Sequence, residues 1–330
     1  MSKPKIVVLA TGGTIAGSAA DEAATTGYQA GAIGIEALLG AVPQLADYAE
    51  VTGEQIASVD SKDITEAVWL RLAERCNSLL AEPELAGIVI THGTDTLEET
   101  AYFLQLTVHS QKPVVLTGAM RPATALSADG PMNLLNAVRL AASPEANRQG
   151  VLVCMNDEIH SARYVTKSHT TSVSTFVSPD AGPLGRMCDG QPVFYTKALR
   201  RHTLESTFST EGVSGLPYVK IIFGHGADDA LFVDAAVQAG AKGLVYAGMG
   251  NGSIPDAVAE ALARAVKKGV AVVRSKRCEA GAVIAAEQSY QEASFLEGDS
   301  LPPQKCRILL QLALLKKCSL PELQNMLHEY

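Results

Sequence analysis

Aromatic residues are scarce in this chain, at 5% of 330 residues, and Trp69 is its single tryptophan. No stripe of aromatics alternates with Lys or Arg, and no basic block is present, which excludes the usual sequence footprint of a nucleic-acid surface. No apolar run approaches the ~20 residues that a membrane-crossing helix needs. The formal net charge of -8 is spread along the chain. The six cysteines are Cys76, Cys154, Cys188, Cys278, Cys306 and Cys318, and no two of them form a CxxC pair. The spacing of a zinc site is therefore missing, and neither a metal nor a cofactor is expected. Free, mostly packed thiols in a reducing compartment are the expectation. No repeat at solenoid spacing and no low-complexity tract occurs. Met1-Ser2-Lys3-Pro4-Lys5 runs directly into an apolar segment, without a signal-peptide pattern. The expectation is a cytoplasmic protein, although a mature exported form would begin in the same way.

What the chain does have is apolar bulk, at 47% hydrophobic residues, and a length that suits about two domains. Strand-like runs at Lys5–Ala10, Gly87–Thr91, Pro113–Thr117 and Gly150–Met155 alternate with helix-like stretches. A second set lies at Tyr218–Phe223, Gly243–Ala247 and Val270–Arg274. Such alternation predicts an α/β fold with parallel sheets. Helices are expected over Thr65–Leu80, Thr96–Val108, Asp129–Ala142, Ala227–Ala239, Pro255–Lys268, Pro303–Lys316 and Leu320–His328, with Thr65 capping the first. The span from Ala162 to Pro217 breaks the rhythm and is rich in Thr, Ser, Gly and Pro. The expected organisation is a larger N-terminal domain over 1–197, a linker over 198–217 and a smaller α/β domain over 218–330.

Two segments carry the chemistry. Thr11-Gly12-Gly13-Thr14-Ile15-Ala16-Gly17 follows the first strand, and Thr91-His92-Gly93-Thr94-Asp95-Thr96 follows the second. Each is a small, hydroxyl-rich turn at the carboxyl end of a strand, where parallel sheets bind ligands. Gly12 and Gly13 let the backbone turn sharply, which exposes the Thr14 hydroxyl. A phosphate-binding loop would need Gly-Lys-Ser/Thr, and Thr14-Ile15 stands there instead. Thr94 and Asp95 read either as covalent-catalysis groups or as an N-terminal cap for the helix that follows. His92 reads as a general base or as a structural histidine. Adjacent Glu98 and Glu99 face different ways, one buried and hydrogen-bonded, one solvated. Lys167, in the irregular region, is a surface lysine or a partner of Thr94. It could act as a base only when neutral, a state that desolvation favours and a neighbouring Asp95 opposes. Gly248-Met249-Gly250-Asn251-Gly252-Ser253 imitates a dinucleotide fingerprint, but its spacing is G-x-G-x-G and no acidic residue ends the next strand. NAD is not expected.

Together these segments resemble the bacterial L-asparaginase family, and most closely its glutaminase-asparaginase branch. The likeness extends to Gly118-Ala119-Met120-Arg121-Pro122, Ser127-Ala128-Asp129-Gly130, Met155-Asn156-Asp157-Glu158 and Pro303-Gln304-Lys305. The resemblance implies cofactor-free hydrolysis of L-asparagine to L-aspartate and ammonia, with appreciable L-glutaminase activity. It also implies a homotetramer built as a dimer of dimers, with sites shared between the N-terminal domain of one subunit and the C-terminal domain of its partner. By the same resemblance, Thr14 is the nucleophile and Tyr28 its activating neighbour on a lid, while Thr94, Asp95 and Lys167 form a second, triad-like set. Asp95 would also hold the substrate ammonium, Ser61 would bind the α-carboxylate, and Glu287 of the partner subunit would contact the ammonium and Tyr28. Two positions depart from the family pattern. Lys62 replaces the Gln or Glu usual after Ser61, and Ser253 stands where asparagine-selective members carry Asn. Two other functions compete with this reading. One is the glutamine-hydrolysing subunit of a tRNA-dependent amidotransferase, which looks longer at its N-terminus. The other is a non-catalytic amino-acid-binding module, which would not need the full hydroxyl, lysine and carboxylate set.

Overall fold

β1 (Lys5–Gly12) is apolar on both faces because it is an interior strand, between β3 and the edge strand that follows, in a sheet covered on both sides. The computed structural model describes residues 2–18, 21, 23 and 31–330. They fall into a first unit ending at Gly212 and a second beginning at Val213.

In the first unit, α1 (Ile35–Gly40) and α2 (Leu45–Tyr48) lead to β2 (Glu50–Val59). Then come α3 (Glu66–Leu80), β3 (Leu85–Thr91), α4 (Leu97–Thr107), β4 (Val114–Thr117), α5 (Gly130–Ala142) and β5 (Val151–Met155). β6 (Glu158–Ser161), a small pair made of β7 (Thr166–Lys167) and β8 (Phe176–Val177), β9 (Gly185–Cys188) and β10 (Gln191–Phe194) complete the strands. The eight-stranded sheet has the order β10-β9-β6-β5-β4-β3-β1-β2. β2, β1, β3, β4 and β5 are mutually parallel, and the remaining strands add on antiparallel. The chain leaves β1 on one side for β2 and returns on the other for β3. That reversal opens a crevice at the carboxyl ends of β1 and β3.

Ile6, Val8 and Ala10 of β1 pack with Leu38, Leu45, Leu134 and Val138 in one core. Leu9, Ile88, Val89 and Ile90 are fully buried as well. Each side chain of this kind contributes about 1.5–3 kcal/mol. The buried face of α3 runs through Trp69, Leu72, Ala73, Cys76, Leu79 and Leu80, and the Trp69 ring stacks on Phe103 of α4 at 5.3 Å. Thr65 does occupy the N-cap of α3, but its side chain makes no capping hydrogen bond. Within the 198–217 span, Thr203, Ser206 and Phe208 are buried on the first unit, and the Phe208 carbonyl meets His109 Nε2 at 2.8 Å.

The second unit has a parallel four-stranded sheet in the order β11-β12-β13-β14, formed by β11 (Val219–Phe223), β12 (Gly243–Gly248), β13 (Ala271–Lys276) and β14 (Leu296–Glu297). Its helices are α6 (Leu231–Gln238), α7 (Asp256–Lys267), α8 (Gln288–Glu292), α9 (Pro303–Leu315) and α10 (Leu320–Glu329). Leu244, Tyr246 and Val272 meet Val233 of α6 and Leu262 of α7 in a second core. Among the described residues, no helix is long and apolar enough to cross a membrane.

Candidate active site

Three turns converge at the crevice of the first unit. After β1, Gly13 adopts φ 81° and ψ -172°, and Thr14 opens a single 3-10 turn, Thr14–Ala16. After β3, Gly93 lies against Gly13. A Cβ built on Gly13 would sit 2.3 Å from Gly93 Cα and N, so only glycine fits. After β2, Ser61 closes the group. Its Oγ accepts the Asp95 N–H at 3.2 Å, and its carbonyl accepts the Thr96 hydroxyl at 2.8 Å. Thr14, Ser61 and Thr94 are all buried in this chain.

Lys167 reaches the β3 turn from β7. Its Nζ lies 2.9 Å from Thr94 Oγ1 and 2.6 Å from Asp95 Oδ1. The N-cap of α4 is Thr96, and that residue's side chain makes no capping bond either. Thr94 and Asp95 are therefore engaged by the lysine and not by the helix end. An ammonium donating both bonds orients the Thr94 oxygen; to act as a base, the nitrogen must first give up a proton. Beside the pair lies a cavity of about 430 Å³ lined by Asp95, Glu98, Lys167, Ser168, His169 and Thr170.

His92 has a different job. It is fully buried, with Nδ1 2.7 Å from the Gly93 carbonyl and Nε2 2.9 Å from Thr100 Oγ1. Trp69 Nε1 donates to the same hydroxyl at 2.8 Å. One neutral tautomer satisfies the whole chain: Trp69 N–H to Thr100 O, Thr100 O–H to Nε2, Nδ1–H to the Gly93 carbonyl. Burial pushes the imidazole down to about 4, only partly opposed by the Gly93 bond. His92 thus holds the turn and does not face it as a base. Glu98 is buried and accepts the Thr166 hydroxyl at 3.2 Å; Glu99 is half-buried, where the sequence suggested a solvated group.

Lys62 is exposed, bonded to Asp63 and 3.6 Å from Asp60, and the Asp63 bond raises its pKa. Tyr28 lies outside the described residues. In the second unit, Ser253 closes the turn after β12 by a backbone bridge to Met249, at 2.7 and 3.1 Å. Glu287 is exposed at the start of α8, and its carboxylate meets Tyr290 Oη at 3.3 Å. The sequence reading missed Thr96, Thr100, Trp69 and Tyr290 as supports. Only Thr96 and Thr100 carried a local signal, by following the Thr-rich turn. Among the described residues, no group of three or more His, Cys, Asp or Glu side chains could hold a metal ion.

Comparison with known proteins adds the family. Residues 5–200 match the description "Asparaginase, N-terminal", and residues 218–327 match "Glutaminase/Asparaginase C-terminal domain". The chain is 52% identical to L-asparaginase 2 of Bacillus subtilis (strain 168), over 99% of this chain and 87% of that one. It is 45% identical to the glutaminase-asparaginase of Pseudomonas fluorescens biotype A, over 98% of this chain and 90% of that one. The crystal structure of the probable cytoplasmic L-asparaginase from Campylobacter jejuni superposes with a TM-score of 0.97 at 47% identity, covering 99% of this chain and 100% of the other. With both halves matched and a close structural relative across its full length, the chain belongs to the asparaginase family of amidohydrolases.

Proposed function

We propose that this protein hydrolyses L-asparagine to L-aspartate and ammonia, and L-glutamine at an appreciable rate, through an acyl-enzyme on Thr14. The observation that carries this reading is the meeting of the Gly13–Thr14 and Gly93–Asp95 turns at the β1/β3 crevice, with Lys167 on both Thr94 and Asp95. Thr14 Oγ attacks the side-chain amide carbon. The C–N bond breaks, the nitrogen leaves as ammonia after taking a proton, and water then hydrolyses the ester. Tyr28 activates Thr14. Backbone N–H groups near Thr94 stabilise the oxyanion.

Substrate orientation follows from the remaining groups. Ser61 Oγ already accepts the Asp95 N–H, which leaves its own proton to donate to the substrate α-carboxylate. Asp95 keeps one oxygen on Lys167 and offers the other to the substrate ammonium. Lys62, once released from Asp63, adds attraction for the carboxylate. Ser253 and Glu287 of the partner subunit complete the site, in a homotetramer. The exposed thiols Cys188 and Cys278 suit a reducing cytoplasm.

Parallel kinetics with both amides test this function. Purified protein should release ammonia from asparagine at least as well as from glutamine. One methylene is worth only ~1–3 kcal/mol of discrimination, so a single side chain can shift the ratio tenfold or more. Ser253→Asn should lower kcat/KM for glutamine more than for asparagine. An equal change for both substrates would remove Ser253 as the selectivity residue.

A further inference from the structure

Two loops of the second unit carry the groups assigned to substrate above: Ser253 in the turn after β12, and Glu287 before α8. A buried cluster fastens these loops together. Arg274, on β13 and only 1% exposed, donates Nη2 to the Ile284 carbonyl at 2.9 Å and Nη1 to the Asn251 carbonyl at 3.4 Å. The Asn251 side chain returns the link by accepting the Ile284 N–H at 3.0 Å. The guanidinium lies over the Tyr290 ring, 4.6 Å from its centre, and Phe295 flanks that ring at 5.9 Å.

Tyr290 is the member that touches both functional ends. Its hydroxyl accepts the Ile254 N–H, one residue from Ser253, at 3.0 Å. The hydroxyl's single proton has Glu287 Oε1 at 3.3 Å and the Ile254 carbonyl at 3.4 Å within reach. A carboxylate is the stronger acceptor of the two. Burial raises the pKa of the phenol, so it keeps that proton at neutral pH. Ser289 Oγ holds the other Glu287 oxygen at 3.3 Å. Glu287 is otherwise an exposed side chain, free to sample many rotamers at an entropic cost when substrate arrives.

We propose that Tyr290 is a positioning residue for Glu287: its hydroxyl sets that carboxylate at a fixed place relative to the Ser253 turn, and Arg274 holds the two loops at the spacing this requires. The inference rests on the reading of Ser253 and Glu287 as substrate contacts. Its consequence is kinetic. A preset Glu287 lowers the ordering cost of binding, and it does not touch the reacting carbon. The hydroxyl should therefore show in KM and hardly in kcat.

Tyr290→Phe is the direct test, because the ring keeps its place under Arg274 and beside Phe295. In the full-length assembled protein, KM for asparagine should rise about three- to tenfold, with kcat within about twofold, the size expected for one hydrogen bond that acts on binding. The thermal midpoint separates this from general loosening. In a Glu287→Ala background the same substitution should raise KM by clearly less than in the wild type, because the Glu287 partner is gone and only the Ile254 bond remains to be lost. Unchanged KM in Tyr290→Phe, or full additivity with Glu287→Ala, overturns the proposal while the substrate-contact reading stands. Unchanged KM in Glu287→Ala itself overturns that reading, and the proposal with it. Should Tyr290→Phe not fold, Arg274→Lys decides, since it cannot bridge both carbonyls in the same way. It should give the same KM-weighted loss, and an unchanged KM there counts against the proposal.

Discussion

Single residues at the crevice are defined by who holds them. Thr94 and Asp95 are held by Lys167 and stand before Thr96, which takes the N-cap position of α4, so the pair does not act here as a cap. His92 is held by Trp69 through Thr100, in a network that needs the neutral ring. A pH dependence follows. The folded value is about 4 against an ordinary 6.5, so between these values the unfolded chain binds the proton more tightly. Stability from this group is therefore full above about pH 6.5 and is lost as pH falls toward 4, by on the order of 3 kcal/mol. An NMR titration should find the His92 imidazole still neutral at pH 5.5; a protonated ring there would show that the network is wrong. In the sequence, His92 read as a base or, at least as well, as a support on the strand side of the turn. The residues that decide the matter, Trp69 and Thr100, reach it only through the packing of α3 on α4.

At the scale of elements, what was legible followed burial. β1, β3, β4, β5, β11, β12 and β13 are apolar runs bounded by turns, and each lies where its pattern predicts. β2 escaped notice because it is an edge strand with a polar sequence, Glu50–Val59, in which Ile56 is the single buried residue. β2 also brings Ser61 beside the β1 and β3 turns. β6 and β9 are four residues each and β14 only two, too short to show a clear alternation. The contact between the β1 and β3 turns was half legible. Gly12 and Gly13 were legible as a sharp turn, but not as a contact with the turn after β3. Gly13→Ala tests that contact. The added Cβ meets Gly93 backbone at 2.3 Å, in a φ region open essentially to glycine. Thermal denaturation should show a loss of roughly 1–3 kcal/mol or more, together with collapse of ammonia release. Wild-type stability and activity in this variant would mean that the turns are not locked together.

For the whole molecule, the two units divide the assigned groups, with Thr14, Ser61, Thr94, Asp95 and Lys167 in the first and Ser253 and Glu287 in the second. If sites are shared across a two-fold interface, two damaged proteins can repair each other. Mixing Thr14→Ala with Glu287→Ala subunits should restore up to roughly a quarter of the sites after random exchange, since a mixed dimer holds one intact site of two. No recovery after demonstrated exchange would place each site within one chain. In the proposed mechanism a single hydroxyl, at Thr14, forms the bond to the substrate. The measurement that tests it is ammonia release at saturating L-asparagine by Thr14→Ala, in protein whose thermal midpoint matches the wild type. The expected result is a fall in kcat of roughly 10³-fold or more, as for loss of a covalent nucleophile. Retention of more than about a few per cent of the wild-type rate would contradict it.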